Sequence, residues 1–159
     1  MTHPQLSDQL VKRFASLVVG VTIIIIGVFL IRQPLKFDRT VLRINGGQTF
    51  VIDVADEAHE RRQGLAERDP IGDREGMLFV YEAPGAYNFT MEGMRFDLDF
   101  IWITADKTVA EITSDVQHGA EPPNRVSPAS DIQYVLEVKA GTAAELQWQP
   151  GMPVEFNVD

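Results

Sequence analysis

An uncharged run of 18 residues near the amino terminus, Phe14–Ile31, constrains this chain more than any other feature. Its sequence is FASLVVGVTIIIIGVFLI. At about 1.5 Å per residue a helix of this length covers roughly 27 Å, close to the ~30 Å of a bilayer's hydrocarbon core. A buried core helix is a poor alternative, because the run has no polar face. In lipid the backbone must satisfy its own hydrogen bonds, so even the β-branched stretch Ile23–Ile26 is expected to be helical.

A cleaved signal peptide is the other interpretation of this run. Lys12 and Arg13 precede it, as the positive segment of a signal peptide would. However, the residues that follow are bulky and then charged, from Phe29 to Arg32, and they offer no small-x-small cleavage site. The sequence therefore predicts an uncleaved single-span anchor, with the lipid bilayer as its partner.

Charge divides the chain at the same place. Residues 1–39 carry five Lys/Arg and two Asp, whereas residues 40–159 carry nine Lys/Arg and 21 Asp/Glu. Lys and Arg flank both ends of the run, so their count does not set its orientation. A short tail followed by a large domain is typical of a signal-anchor, and we expect a single-pass membrane protein with an extracytoplasmic head. The predicted boundaries are a tail (1–13), an anchor (14–31), a linker (32–39) and a head domain (40–159).

Composition excludes several classes of function. The chain has no cysteine, so it forms no disulfide, has no thiolate nucleophile and bears no cysteine-linked lipid. Its net charge of -9 opposes binding to nucleic acid. The three histidines, His3, His59 and His118, are isolated from one another, whereas transition-metal sites need three or four ligands. We therefore expect no metal, no other cofactor and no nucleic-acid partner.

The head domain is patterned as short strands. Two apolar-rich runs around Asn45-Gly46-Gly47 predict a hairpin over 41–54. Asp56–Gln63 and Thr142–Trp148 are predicted helices. Five further strands are predicted at Gly76–Tyr81, Tyr87–Met91, Asp97–Thr104, Thr108–Thr113 and Ile132–Val138, then a last one at Pro153–Asn157, with an irregular loop at Gln117–Ser130. The predicted fold is α+β: a single, mostly antiparallel, barrel-like domain with two short helices, preceded by one transmembrane helix.

Five short motifs of the head carry a family resemblance. They are Gly64-Leu65, Gly76-Met77-Leu78-Phe79, Phe89-x-Met91, Leu98-Asp99-Phe100-Ile101-Trp102 and Val135-Leu136-Glu137-x-x-x-Gly141. In this order and spacing, the head resembles the domain-of-unknown-function 192 (DUF192) family, also called uncharacterised protein family 0127, over about residues 40–157. The resemblance implies a small, mostly β domain that is often exported or membrane-tethered. It implies no activity, since none is established for the family.

The head also departs from the family pattern. Ala66 stands where the family usually has methionine, and Asp97 where proline is frequent. The usual Phe-Trp-Met-Lys-Asn-Thr run becomes Phe89–Met94, with glutamate and glycine in place of lysine and asparagine. Any ligand contact that those two residues make in relatives is lost or altered here.

Asp99 is the most informative candidate site residue. On its strand, Leu98, Phe100 and Trp102 share one face, and Ile101 shares the other with Asp99. Both faces are apolar, which predicts a strand buried on two sides. A carboxylate there must be hydrogen-bonded or paired. Asp99 is either a structural hub that binds backbone amides or an arginine, or a ligand-facing or catalytic group.

Four other charged residues are candidates for ligand binding. Glu137 lies on a strand face that we expect to meet solvent, where a salt bridge is its ordinary role. Arg62 and Arg68 lie at or just after the end of the first predicted helix, where cations suit the helix dipole, and either could reach Asp99, Glu137 or a bound anion. Glu92 is an acid within reach of Asp99 only if folding brings the two together.

Two functional hypotheses follow, and a third, purely structural role stays open. The first is a membrane-anchored, non-catalytic binding or accessory module whose partner is a small molecule, a peptide or an envelope protein. The alternative is a small hydrolase or isomerase that uses Asp99 with an arginine or Glu92 in a barrel-mouth pocket. The sequence favours the first, since it shows no nucleophile–base motif. Convergence of Asp99 with a second titratable group in an open pocket would favour the enzyme.

Overall fold

The computed structural model describes residues 12–14, 18 and 36–158, and the chain divides into two compact units, residues 1–36 and 37–159. Of the predicted anchor, Phe14 and Val18 are described, and both are helical. The rest of that prediction lies outside the described residues. Among the residues that are described, no helix has the length and apolar character needed to cross a bilayer.

The second unit has nine strands and two short helices within residues 36–158. In chain order they are β1 (Asp38–Ile44), β2 (Phe50–Ala55), α1 (Ala58–Gln63), β3 (Glu75–Gly85), β4 (Phe89–Thr90), β5 (Leu98–Ile103), β6 (Val109–Val116), β7 (Arg125–Val126), β8 (Ile132–Lys139), α2 (Thr142–Glu145) and β9 (Val154–Phe156). Since β1 begins at Asp38, this unit starts inside the segment predicted to be a linker.

Seven strands form one sheet in the order β6-β5-β8-β3-β2-β1-β9. Neighbouring strands are antiparallel except β2 and β3, which are parallel and are connected through α1. The sheet curls until its two ends meet at a bridge between Thr108 and Pro153. Val109 N donates to Met152 O at 2.9 Å, and Val154 N donates to Lys107 O at 2.8 Å. The prediction of a mostly antiparallel, barrel-like α+β domain is confirmed for this part of the chain.

Two apolar clusters lie on opposite faces of this sheet. The inner cluster fills the curl with side chains from seven strands and from α2, including Leu42, Phe50 and Ile101. The outer cluster covers the other face of β3, β5 and β8 and includes Met77 and Phe100. Every residue of β5 is buried, as its two apolar faces predict. The outer cluster is closed by loops between the strands, because residues from these loops pack into it.

Several predicted boundaries differ from the structure, and two of the differences come from one tertiary strand pairing. The strand predicted at Tyr87–Met91 shortens to β4, whose partner β7 lies in the segment predicted to be an irregular loop. The second helix ends at Glu145 instead of continuing to Trp148. The first hairpin has its expected turn, with positive φ at Asn45 (52°) and Gly46 (63°).

Candidate functional site

Asp99 is fully buried at the start of β5 and is hydrogen-bonded on both carboxylate oxygens. Oδ1 accepts from the backbone N–H of Asp115 at 2.8 Å and of Gly141 at 3.2 Å. Oδ2 accepts from the N–H of Ala143 at 2.9 Å. A carboxylate that accepts several amide hydrogen bonds is stabilised in its buried position. Asp99 therefore has the structural role of fixing three distant segments to one another.

These three bonds explain how α2 is held against the sheet. Gly141 has φ of 86°, a left-handed conformation that suits glycine, and it directs its N–H towards Asp99 at the start of α2. Ala143 enters the inner cluster beside the strands. Asp115, also at positive φ (56°), directs its N–H back from β6. The carboxylate thus ties β5, β6 and α2 together at one end of the barrel.

Arg62 and Glu92 do not meet Asp99 in the structure. Both are exposed, and their side chains form no hydrogen bond or ion pair with any other described residue. The acid–base pair required by the enzyme hypothesis is therefore absent from residues 36–158, since Asp99 is sealed and bonded only to backbone amides.

Glu137 lies in a different environment, and the expectation that its face meets solvent is wrong. It is 5% exposed on the outer face of β8, between Met77 on β3 and Phe100 on β5. Among the described residues, nothing forms a side-chain hydrogen bond with its carboxyl group. Burial raises the pKa of Glu137 to about 8, although the positive charge of Arg68 partly opposes this. Loop residues cover this face, so the acid is largely protonated at neutral pH.

Arg68 is the candidate that the structure brings near Glu137. Its Nη1 donates to Asp53 Oδ2 at 2.7 Å, and Arg39 Nε donates to the other oxygen of Asp53 at 2.8 Å. The Arg68 guanidinium also lies 4.5 Å from the centre of the Phe37 ring. Two arginines thus share one carboxylate beside a buried, protonated acid.

The loop between α1 and β3, residues 64–74, packs on the outer cluster and is tied down at several points. Lys139 Nζ donates to Asp73 Oδ1 at 2.8 Å near its far end, and the Arg68–Asp53 pair holds its near end. Glu67 N donates to Gly93 O at 2.9 Å, which joins this loop to the one before β5. We call Glu137, Arg68, Asp53 and Arg39 together the outer charged cluster.

The charged groups elsewhere in the described chain do not form a metal site. Within residues 12–14, 18 and 36–158, no three His, Asp or Glu side chains are placed to hold one ion together. His118 is paired with Asp97, and hydrogen bonds from the His118 backbone and ring hold the pKa of Asp97 below its ordinary value. A groove of about 540 Å³ beside β1 and β9 is lined by Val41, Arg43, Lys107 and Phe156, and by none of the predicted candidates.

A model of the DUF192 family, described as uncharacterized ACR, matches residues 40–156. The chain belongs to the DUF192 family. Two solved structures share the DUF192 fold of this chain over 78% of its length. One is a "putative transcription regulator" from Sinorhizobium meliloti, with 25% identity, a TM-score of 0.72 and 98% of that chain covered. The other is a protein of unknown function from Novosphingobium aromaticivorans, with 28% identity, a TM-score of 0.67 and 88% covered. No curated protein matches the chain.

The DUF192 motifs have two separate roles in this fold. Some stabilise the architecture. Asp99 accepts a hydrogen bond from the Gly141 N–H and so joins two motifs. Gly76 lets β3 lie close to β8, because a Cβ at this position would lie 2.5 Å from the Glu137 carbonyl oxygen. The apolar motif residues that face outwards all lie in the outer cluster: Leu65, Met77, Phe79, Phe89, Met91, Leu98, Phe100, Trp102 and Val135.

Two departures from the DUF192 pattern are neighbours in space. A Cβ at Gly93 would lie 3.4 Å from the Cβ of Ala66. Both residues lie in the loops that cover the outer cluster.

Sequence reasoning missed Asp53 and Arg39 as parts of the outer charged cluster. Asp53 lies at an outward position of the alternating pattern on β2, which is typical of an ordinary surface acid. Its pairing with Arg68 depends on the parallel contact of β2 with β3, for which the sequence gives no local signal. The sequence contains one signal for the burial of Glu137, because this residue lies between Leu136 and Val138 in a strand of mostly apolar residues.

Proposed function

We propose that this protein is a non-catalytic binding or accessory module held at the extracytoplasmic face of a membrane by Phe14–Ile31. The length and uncharged character of that run support the anchor. Tethering would raise the local concentration of the DUF192 domain near partners at the membrane. A small molecule, a peptide or an envelope protein are the partner classes that this placement favours.

The observation that carries the non-catalytic part is the geometry of Asp99. A general acid or base must reach a substrate proton, and this carboxylate instead accepts three backbone N–H groups with no exposed surface. Of the five candidate residues, Arg68 and Glu137 are the two that lie close to each other. We propose these two as binding residues.

A nucleic-acid partner does not suit this domain, although one structural neighbour is named as a transcription regulator. Residues 40–159 carry 21 acidic and nine basic side chains. Phosphate binding depends on clusters of Lys and Arg, and an excess of acids repels the backbone. The name of that neighbour is therefore not carried over to this chain.

Membrane fractionation tests the anchor. The full chain should stay in the membrane pellet after alkaline carbonate extraction, and the double variant Ile24→Arg/Ile25→Arg should be released, because two charges at the centre of a span oppose insertion. The matched control is Val41→Arg/Val51→Arg, which alters two exposed apolar residues of the head and should leave the pellet unchanged. Release of the unaltered chain would refute the anchor.

Protease accessibility tests the orientation of the head. In spheroplasts, added protease should digest the DUF192 domain while a cytoplasmic marker stays intact. Protection of the head until the membrane is lysed would contradict the extracytoplasmic placement.

An activity screen tests the non-catalytic proposal. Ester, amide and phosphoester substrates should show no turnover above background with the full chain. Turnover that Asp99→Asn removes while the variant stays folded would overturn the proposal. Folding is checked by the fluorescence of the buried Trp102.

A further inference from the structure

A small open pocket lies between the β1–β2 turn and the segment that follows α2. Its volume is about 160 Å³. Pockets for drug-sized ligands measure roughly 300–1,000 Å³, so this one has room for a single small ring. The described residues that line it are uncharged, and we call it the Trp148 pocket. They include Ile44, Asn45, Gln48, Leu146, Trp148 and Met152.

The apolar wall of the Trp148 pocket is the rim of the inner cluster. Leu146, Trp148 and Met152 pack against this cluster but are only half-buried. Part of each side chain is therefore open to a ligand. The Trp148 ring packs on the buried Phe50 ring, with 5.3 Å between the ring centres. The aromatic surface of the pocket thus has a fixed position before a ligand binds, which lowers the entropic cost of binding.

The backbone that carries Trp148 is fixed through α2. Ala143 donates its N–H to Asp99 Oδ2 and accepts a hydrogen bond from Trp148 N at 2.9 Å. One residue of α2 thus connects the buried carboxylate of β5 to the aromatic wall of the pocket. Asp99 is therefore a positioning residue for this site and has no contact with its ligand.

The polar groups of the pocket are available for hydrogen bonds. The side chains of Asn45 and Gln48 are exposed, and neither forms a hydrogen bond with another residue of 36–158. The indole N–H of Trp148 also has no hydrogen bond within this part of the chain. Every buried side-chain nitrogen and oxygen of the described residues is hydrogen-bonded. The Trp148 Nε1–H is therefore accessible rather than buried.

The arrangement of these groups indicates which ligand would fit. An amide side chain both donates and accepts hydrogen bonds, as a hydroxyl group does, and the indole N–H donates. Asn45 and Gln48 belong to the turn and Trp148 to the other segment, so the polar groups come from both walls. This suits a ring with hydroxyl groups around its rim and a face of C–H groups that packs on the indole. A charged ligand would lose hydration here without gaining an opposite charge.

We propose that the Trp148 pocket binds the ring of a neutral sugar. The C–H face of the sugar packs on Trp148, and its hydroxyl groups bond to the amides of Asn45 and Gln48. This site lies at the rim of the inner cluster, whereas Glu137 lies on the outer face of the sheet. The inference therefore goes beyond the proposed function and does not depend on Glu137 or Arg68.

The test follows the indole N–H signals of the full chain by proton–nitrogen NMR in a polyoxyethylene detergent, which contains no sugar. The chain has two tryptophans, and the Trp148 signal is assigned by its loss in Trp148→Phe. Methyl β-D-glucopyranoside is the probe. It should shift the Trp148 signal with a dissociation constant in the millimolar range. The Trp102 signal should not move, because Trp102 is fully buried and donates to Thr113.

Two variants remove the amides of the turn. Gln48→Met keeps the size of the side chain, and Asn45→Gly keeps the positive φ of 52° at this position. Each should weaken the binding about fivefold, because one hydrogen bond to the sugar is lost. Gln149→Met is the matched control, since this exposed amide is next to Trp148 in the sequence but does not line the pocket. An unchanged Trp102 signal shows that each variant is folded.

Three further probes test the chemistry of the ligand. Sorbitol has the hydroxyl groups without the ring, methyl β-D-glucuronide has the ring with a negative charge, and uracil is a planar heteroaromatic ring. Each should bind at least fivefold more weakly than the glucoside.

Three results would overturn the inference: no shift of the Trp148 signal with the glucoside, equal affinity in both amide variants and the unaltered chain, or tighter binding of uracil or the glucuronide. A peptide or envelope protein that binds without moving the Trp148 signal would support the proposed binding function and place its partner elsewhere on the domain.

Discussion

Asp99 and Glu137 are two buried acids on opposite faces of one sheet, and they differ in what surrounds the carboxyl group. Asp99 faces inwards and accepts three backbone N–H groups. Glu137 faces outwards among apolar side chains and has no hydrogen bond with another described residue, so burial raises its pKa to about 8. Burial alone therefore does not mark a functional acid. The carboxylate of Asp99 is stabilised by the fold through backbone amides, whereas Glu137 has no such donors and its pKa is raised.

The largest expected effect comes from Glu137→Gln. A raised pKa means that the folded state holds the proton more tightly than the unfolded state does. The stability from this proton is full below pH 4.5 and is lost as the pH rises to about 8. At about 1.4 kcal/mol per pKa unit, the unaltered chain should lose up to about 4 kcal/mol relative to the variant over this range. Denaturant unfolding at pH 4.5 and 8 measures it, and equal differences at both pH values would refute it.

Asp99→Ala is expected to destabilise the domain by about 2–4 kcal/mol, because three buried N–H groups lose their acceptor. Asp99→Asn should cost less, since the amide oxygen still accepts. Unfolding followed by Trp102 fluorescence measures both variants. An unchanged midpoint for Asp99→Ala would show that these bonds contribute nothing to stability and would remove the contrast with Glu137.

Gly76→Ala tests the backbone contact that joins β3 to β8 beneath Glu137. The new Cβ would lie 2.5 Å from the Glu137 carbonyl oxygen, so the two strands must separate. We expect a loss of about 1–3 kcal/mol, as for other overpacked positions. Gly72→Ala is the matched control, because its Cβ would meet only the end of the Glu75 side chain at 3.3 Å. Equal losses in both variants would count against the specific contact.

The smallest effect is expected for Lys139→Met, which removes the ion pair with Asp73 at the edge of the covering loop. Both partners are exposed, and such pairs contribute little to stability. The variant should unfold within about 0.5 kcal/mol of the unaltered chain. A much larger loss would show that the covering loop depends on this pair.

The local pattern of the sequence was enough to predict much of the barrel. The alternation around Asp99 predicted a strand buried on both faces, and Asn45-Gly46 predicted the first turn. The hydrogen bonds of Asp99 could not be predicted, because Asp115 and the pair Gly141 and Ala143 are far from Asp99 in the chain and meet it only after folding.

The candidate site was predicted only in part. Arg68 and Glu137 were both identified, and the possibility that the arginine reaches Glu137 was recognised from the sequence. The burial of Glu137 was not predicted, because the loop that packs on its face of the sheet comes from a segment about 65 residues earlier and carries no strand pattern. Likewise, β4 and β7 are two residues each, too short for an alternation to appear.

The most direct test of the account is a carbon-13 NMR titration of the Glu137 carboxyl group in the full chain in non-ionic detergent, assigned by its loss in Glu137→Gln. The account predicts titration near pH 8. Titration near the ordinary value of 4.5 would contradict it.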